Sequence, residues 1–166
     1  MRAVIRLVLV VFMVMIPLHT ISDAGYIPHP IVSLKEEICM AYNIMFEATS
    51  QPLEGQIAVG WVVLNRVNNA RFPDSVCKVV ESPYQFSWLL QPVKRGWFQH
   101  LYIPSTYVGA WESAFNAARM VLSHSVEDPT RGALFYHTKQ VNPSWSGKME
   151  RTAVIGDHVF FRPISD

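Results

Sequence analysis

Charged residues are scarce in this sequence. Only 16% of its 166 residues are Asp, Glu, Lys or Arg, and the two signs nearly balance, giving a formal net charge of +1 at pH 7. Without a basic excess, the chain lacks the electrostatic footprint of nucleic-acid binding, in which phosphate contacts supply most of the affinity. Internal repeats and low-complexity tracts are also missing. Half of the residues are hydrophobic, which is enough for one buried core, and the length predicts one domain.

The sequence also lacks an apolar run of the roughly 20 residues that span a membrane comfortably. An uninterrupted run at residues 7–16 follows two arginines and is broken by Pro17. Small residues before Gly25 then offer a cleavage site, as in a secretory signal peptide. We therefore predict that residues 1–24 are a signal peptide or a weak membrane anchor, and that the protein is exported to the periplasm or cell envelope. An apolar N-terminal helix of a cytosolic protein is the alternative.

Cysteine is nearly absent, since Cys39 and Cys77 are the only two. In an exported protein such a pair can close a disulfide, because the bond persists in oxidising compartments. Two small buried thiols are the alternative, and the sequence leaves both interpretations open.

Helical periodicity begins after a proline-containing linker, residues 25–33. Ser33 and Glu36 form a capping box, in which each side chain can bond an unpaired amide of the first turn. Apolar residues then recur at helical spacing in three long segments: 34–49, 53–67 and 110–123. A short helix ending near residue 80 is predicted between the second and third segments, with Asp74 as its cap.

The rest of the chain follows other patterns. Residues 82–108 are rich in proline and aromatic residues, and we predict a long structured loop there. Three strand patterns come last: 133–137, 152–155 and 158–161. Gly156 and Asp157 form a hairpin turn between the last two. Helices first and a small antiparallel sheet last predict an α+β domain over residues 34–166.

Glu47 has the sequence surroundings of a proton donor. It lies near the end of the first predicted helix, between Phe46 and Ala48. Apolar neighbours remove solvation from a carboxylate, and a helix C-terminus disfavours negative charge, so both effects predict a raised pKa. A glutamate tuned in this way can act as a general acid at neutral pH. An exposed glutamate on the polar side of the helix is the alternative.

A string of short motifs runs from about residue 36 to residue 162. The motifs are Phe46-Glu47-Ala48 and residues 52–59, 63–67, 72–77, 85–88, 132–137, 141–145, 155–158 and 160–162. Together they resemble the SleB-type cell wall hydrolases, which include spore-cortex-lytic enzymes and have relatives in phages, so the role of an endolysin stays open. The resemblance implies a lysozyme-like or lytic-transglycosylase-like fold, peptidoglycan glycan strands as the partner, and Glu47 as the catalytic acid. One departure is Thr49-Ser50, where the family usually has Arg-Gly.

The implied chemistry needs only one acid if the sugar supplies its own nucleophile. In a lytic transglycosylase the C6 hydroxyl of N-acetylmuramic acid (MurNAc) attacks its own anomeric carbon and leaves a 1,6-anhydro end. A hydrolase usually needs two carboxyls. The other acids are predicted to have structural roles. Glu54 lies in the first turn of a helix, Asp74 caps a helix, and Asp128 and Asp157 lie in turns. We predict cleavage of the MurNAc-GlcNAc β-1,4 bond by transglycosylation, with hydrolysis as the alternative.

Aromatic and polar residues later in the chain predict a sugar cleft. Aromatic rings stack on the apolar faces of pyranoses, and amides and hydroxyls recognise N-acetyl groups and ring hydroxyls. The predicted substrate-binding residues are Gln85, Phe86, Ser87, Trp88, Tyr136 and His137. Packing of these side chains in the core is the alternative, and it is the interpretation favoured for His158.

Two rival functions belong to other classes. A zinc amidase that cuts the peptide from the glycan needs three protein ligands on the metal. The histidines after residue 24 form no His-Glu-x-x-His motif or other tight ligand pair. A non-catalytic wall-binding module would bind glycans without cutting them. We predict a monomeric enzyme that uses no metal and no other cofactor, and that meets the membrane only through its N-terminal segment.

Overall fold

The computed structural model describes residues 33–164. The predicted signal or anchor segment, residues 1–24, lies outside the described residues, as does the predicted linker apart from Ser33. Across residues 33–164, no helix combines the length and the apolar character needed to cross a membrane.

Helices come first and strands last, which confirms the predicted α+β order. The helices are α1 (Leu34–Ala48), α2 (Leu53–Val67), α3 (Val76–Glu81), α4 (Pro92–His100) and α5 (Val108–Leu122). The strands are β1 (Phe135–Thr138), β2 (Met149–Ile155) and β3 (His158–Pro163). Short 3-10 turns occur at Ser87–Leu90, Ser105–Tyr107 and Ser146–Lys148.

Helix α2 is the central helix, as its apolar sequence predicts. Most of its side chains are buried, from Gly55 to Leu64. Gly60 lets its neighbours approach closely, because an added Cβ would lie 3.1 Å from Ile44 on α1 and 3.2 Å from Val121 on α5. A methyl group there would require these two side chains to move by a few tenths of an ångström in a close-packed interior. The core therefore forms where α1 and α5 both pack on α2.

Helix α1 is joined to α3 by a cap of α3 that was predicted at the wrong residue. The Ser33 hydroxyl accepts from the Glu36 amide as predicted, but the Glu36 carboxylate does not complete the box. It accepts instead from the Val76 amide, at 2.6 Å, in the first turn of α3. Asp74 is not the cap of this helix, because its carboxylate is ion-paired with the Lys78 ammonium at 2.8 Å. The error arose because the true capping residue lies 40 positions away in sequence.

A disulfide makes a second link between α1 and α3. Cys39 and Cys77 are bonded, with their Cα atoms 5.2 Å apart. The sequence left open a disulfide or two buried thiols, and the structure contains the disulfide.

The predicted long loop at residues 82–108 contains a helix, α4. It has only nine residues, begins at Pro92 and contains Gly96, so its composition is that of a loop. Tertiary packing stabilises it instead. The Phe98 ring lies 5.4 Å from the Tyr42 ring and 5.5 Å from the Trp88 ring.

The strands form an antiparallel sheet in the order β1-β3-β2. Phe160 and Ile155 on the sheet pack against Ala58 and Val62 of α2, which ties the sheet to the helical core. Each strand is close to its predicted place, although β2 begins three residues earlier than predicted and contains a bulge near residue 152.

A side-chain clamp fixes the hairpin between β2 and β3 to the segment after α1. The Gln51 amide oxygen accepts from the Asp157 backbone amide at 2.8 Å. The Gln51 amide nitrogen donates to the Asp157 carboxylate at 3.1 Å. Gln51 is buried, and it lies four residues after Glu47. The end of α1 is therefore held against the sheet.

Candidate active site

Glu47 faces an open cavity of about 370 Å³. The lining residues come from α1, α2, β1 and the segment between α3 and α4: Glu47, Arg66, Tyr84, Gln85, Phe86, Ser87, Leu90 and Tyr136. Glu47 is half-buried in the last turn of α1 rather than extended into bulk solvent. The cavity therefore gives a ligand access to a partly desolvated carboxyl group.

Burial raises the pKa of the Glu47 carboxyl above its ordinary value. A hydrogen bond from Tyr136 and the positive charges of Lys94 and Arg66 lower the pKa by less than burial raises it. The direction agrees with the expectation from the apolar neighbours of Glu47, because a desolvated carboxylate is less stable than the neutral acid. The net shift favours a protonated group that can donate to a ligand in the cavity.

Tyr136 on β1 orients this carboxyl. Its hydroxyl donates to Glu47 Oε2 at 3.2 Å. Burial and the neighbouring Glu47 raise the pKa of Tyr136 well above its usual value, so the hydroxyl keeps its proton and remains a donor. The Tyr136 ring lies 5.1 Å from the ring of buried His158 and 5.7 Å from that of Phe160. The buried position of His158 beside this ring agrees with the prediction that His158 packs in the core.

Arg66 on α2 is a buried cation beside the cavity. Its guanidinium lies over the rings of Phe72, Phe86 and Phe135 at 5.4, 5.3 and 5.7 Å. Its Nε donates to the Leu134 carbonyl at 2.8 Å, whereas Nη1 is buried with no hydrogen-bond partner in the described part of the chain. Burial lowers the pKa of Arg66, but an arginine stays charged in proteins. Arg66 lies in the family motif at residues 63–67, where its role could not be predicted from sequence.

Three of the predicted substrate-binding residues lie together on one cavity wall. Gln85 and Ser87 are exposed, so their amide and hydroxyl groups are accessible from the cavity. Phe86 is buried beneath them, where it also contacts the Arg66 guanidinium. Substrate contact by these residues stays a prediction.

Trp88 does not have the predicted position. Its side chain is 1% exposed and does not line the cavity. The indole N–H donates to Asn43 Oδ1 at 3.1 Å, and the ring packs 4.6 Å from the Phe46 ring. Trp88 therefore supports the cavity wall from behind, against α1, instead of meeting substrate.

His137 does not line the cavity either. It follows Tyr136 on β1, and successive side chains of a strand point to opposite faces of the sheet. The His137 ring stacks on the Phe161 ring at 5.0 Å and lies 5.6 Å from the Trp145 ring. The predicted substrate contact of His137 is therefore corrected to a packing role on the far face.

Comparison with known proteins identifies the family. The model of the cell wall hydrolase family matches residues 50–161. This chain belongs to that family. The matched range begins three residues after Glu47, so it leaves the acid itself outside.

The relatives of this cell wall hydrolase include spore cortex-lytic enzymes. It is 32% identical to the one from Oceanobacillus iheyensis over 124 residues, which cover 73% of this chain and 39% of that protein. It is 30% identical to the one from Bacillus subtilis over 122 residues, covering 73% and 35%. The chain therefore spans well under half the length of these curated relatives.

Solved structures confirm the predicted fold of this cell wall hydrolase. The catalytic domain of the germination-specific lytic transglycosylase SleB from Bacillus anthracis matches with a TM-score of 0.61 and 28% identity, covering 80% of this chain and 98% of that one. The catalytic domain of the Bacillus cereus SleB protein matches with a TM-score of 0.58 and 28% identity, covering 84% and 99%.

The cell wall hydrolase has one acid at this cavity, among the described lining residues. The other acids considered from the sequence are held elsewhere. Asp128 accepts from the Thr130 and Gly132 amides, each at 2.8 Å. Asp157 is held by Gln51. Within residues 33–164, no group of three or more His, Cys, Asp and Glu side chains could hold a metal ion.

Thr49, where the sequence departs from the family pattern, makes a local hydrogen bond at the end of α1. Thr49 is exposed, and its hydroxyl donates to the Met45 carbonyl one turn earlier in α1. Lys94 on α4 approaches the same region, with its ammonium 5.4 Å from the centroid of the Phe46 ring. After the larger effect of burial, Lys94 and Arg66 are the cations that act on the Glu47 pKa.

Proposed function

We propose that this cell wall hydrolase cleaves the MurNAc-GlcNAc β-1,4 bond of peptidoglycan glycan strands, with Glu47 as the proton donor. The observation that carries the proposal is the placement of the Glu47 carboxyl, which is half-buried at the wall of the cavity, where burial raises its pKa. It opens onto a cavity large enough for a sugar ring and is oriented by Tyr136. The match to SleB catalytic domains adds support.

The favoured reaction is lytic transglycosylation. Glu47 donates its proton to the bridging oxygen, and the bond from that oxygen to the MurNAc anomeric carbon breaks. The C6 hydroxyl of the same MurNAc then attacks that carbon, and its proton passes to the Glu47 carboxylate. The products are a 1,6-anhydro-MurNAc end and a new free hydroxyl on GlcNAc, with no water consumed and the acid regenerated. The single acid among the described lining residues favours this route over two-carboxyl hydrolysis.

The neighbours of Glu47 have separate roles in this proposal. The Tyr136 hydroxyl donates to Oε2, which leaves Oε1 available to carry the transferable proton. Once Glu47 has given up its proton, the Arg66 charge stabilises the resulting carboxylate. Gln85 and Ser87 are exposed on the wall, where they would bond to N-acetyl and hydroxyl groups of the strand.

We further propose that residues 34–166 act outside the cytoplasm as a monomeric catalytic domain, preceded by an export signal or weak anchor at residues 1–24. The anatomy of that segment supports export. The disulfide between Cys39 and Cys77 supports it independently, because such bonds persist mainly in oxidising compartments.

Mass spectrometry of the fragments released from purified sacculi tests the function. Wild type should release muropeptides with anhydro ends, and Glu47→Gln should lose this activity, because the amide cannot donate the proton to the leaving oxygen. Reducing ends would instead establish hydrolysis. Release of peptides from intact glycan would indicate an amidase, and binding to sacculi without release would indicate a wall-binding module. Normal release by Glu47→Gln would remove Glu47 from the mechanism.

A further inference from the structure

A tight turn presents Tyr84 at the mouth of the cavity. The Gln85 amide donates to the Ser82 carbonyl at 3.3 Å, which closes the turn over Pro83 and Tyr84. Tyr84 has a φ of 62°. Proline in the second position and positive φ in the third define a type II turn. Glycine or asparagine is strongly preferred in that third position, because a Cβ is disfavoured at positive φ.

Packing within the protein does not explain a tyrosine in this position. The Tyr84 side chain is 87% exposed, so burial of its ring offsets little of the backbone strain. A residue held in an unfavourable backbone conformation without compensating burial is a candidate for a functional role, and its surroundings decide whether it has one. The feature that requires explanation is an aromatic ring held in solvent where glycine would fit better.

The position of the ring indicates what it could bind. Tyr84 lines the same cavity as Glu47 and is directly followed by Gln85. Leu90, 64% exposed, adds a second apolar group to this rim. An exposed ring beside an exposed amide can bind one face of a pyranose while the amide bonds to its substituents.

We propose that Tyr84 is a stacking platform for a sugar ring of the glycan strand, next to the bond that Glu47 cleaves. The identity of the ligand rests on the proposed function. Tyr84 itself takes no part in proton transfer and contributes to binding alone. Its removal should therefore weaken substrate binding in the ground state and the transition state to a similar extent.

Tyr84→Gly is the informative variant because it separates stability from binding. Glycine relieves the positive φ, so the variant should have an unchanged or higher Tm. The half-saturating concentration of sacculi should rise by about two- to tenfold, the range that an aromatic stacking contact contributes, with kcat nearly unchanged. Tyr84→Trp should bind sacculi as tightly as wild type, because it keeps an aromatic ring at this position.

Leu101→Gly is the matched control. Leu101 also combines positive φ with an exposed apolar side chain, at 51° and 61% exposure, but it lines a different groove from Glu47. Its replacement should leave the half-saturating concentration unchanged. If Tyr84→Gly binds sacculi as tightly as wild type, or lowers the Tm while Leu101→Gly does not, the proposed platform is wrong.

Binding by catalytically inactive protein separates the two proposals. When Tyr84→Gly is added to the inactive Glu47→Gln variant, the affinity for soluble glycan strands should fall by about the same two- to tenfold factor that is expected for sacculi. That fall would support the platform even if wild type proved unable to cut the strands, which would refute the proposed function alone. Equal affinity of the single and double variants would overturn the platform even if wild type were an active transglycosylase.

Discussion

Replacing Tyr136 with phenylalanine should move the alkaline limit of activity to higher pH. The Tyr136 hydroxyl donates to Glu47 Oε2, and this bond favours the ionised carboxylate. Without this hydrogen bond, one of the effects that lower the Glu47 pKa is lost, and the pKa rises further. Because the proton donor is active only while protonated, activity should persist to higher pH, although its maximum should fall as the carboxyl loses its orientation.

The size of this shift follows from the strength of the hydrogen bond. A hydrogen bond to a charged group contributes about 1.5–3 kcal/mol. The 3.2 Å distance from Tyr136 to Glu47 is long for a bond between two oxygens, so the lower end applies. About 1.4 kcal/mol corresponds to one pH unit. The alkaline limb of kcat/KM against pH should therefore move up by at most about one unit, because only the part of the bond energy that differs between the ionised and the neutral carboxyl shifts the pKa.

Tyr42→Phe is the control for this experiment. Tyr42 is a buried tyrosine of α1 whose hydroxyl donates to the Tyr102 carbonyl at 3.2 Å. Its replacement removes a comparable hydrogen bond away from the cavity, so stability should fall without a change in the pH profile. An alkaline limb that stays in place in Tyr136→Phe, or moves to lower pH, would refute the assignment of Glu47 and Tyr136 as an interacting pair.

Four further predictions concern stability. Joint replacement of Cys39 and Cys77 by serine should lower the free energy of unfolding in urea by up to about 4 kcal/mol, since the bond closes a loop of 38 residues. Gln51→Ala should lower it by about 1–3 kcal/mol, because buried hydrogen bonds to the hairpin are lost. Trp88→Phe should have a similar effect on stability with an unchanged KM. Glu47→Gln should raise the Tm at neutral pH and not below about pH 4, because a raised carboxyl pKa destabilises the fold only where the unfolded group is ionised.

The long helices could be predicted from sequence because the side chains that they bury recur as apolar residues at helical spacing. Helices α1, α2 and α5 each have 15 residues and were found within a few positions. Helix α4 was missed because it is only nine residues long and contains Pro92 and Gly96, which are typical of loops, while contacts of Phe98 with distant rings stabilise it.

The candidate site could be predicted only where chemistry follows from local sequence. The raised pKa of Glu47 was expected from its apolar neighbours. Arg66 was missed because its position beside Glu47 depends on the packing of α2 against α1. Trp88 and His137 were assigned to substrate because a sequence does not show which face of an element meets the cavity. The disulfide was undecided for a related reason, since it depends on the distance between two helices.

The clamp on the β2–β3 hairpin has a consequence for the evolution of the family. Gly156 has a φ of 55°, and a Cβ there would collide with the Gln51 side-chain oxygen that bonds to the next residue. Positions 51, 156 and 157 therefore cannot vary independently. Homologues that lose the glutamine should change the turn residues as well, so substitutions at these three positions should be correlated, although position 51 lies 106 residues before position 157 in the chain.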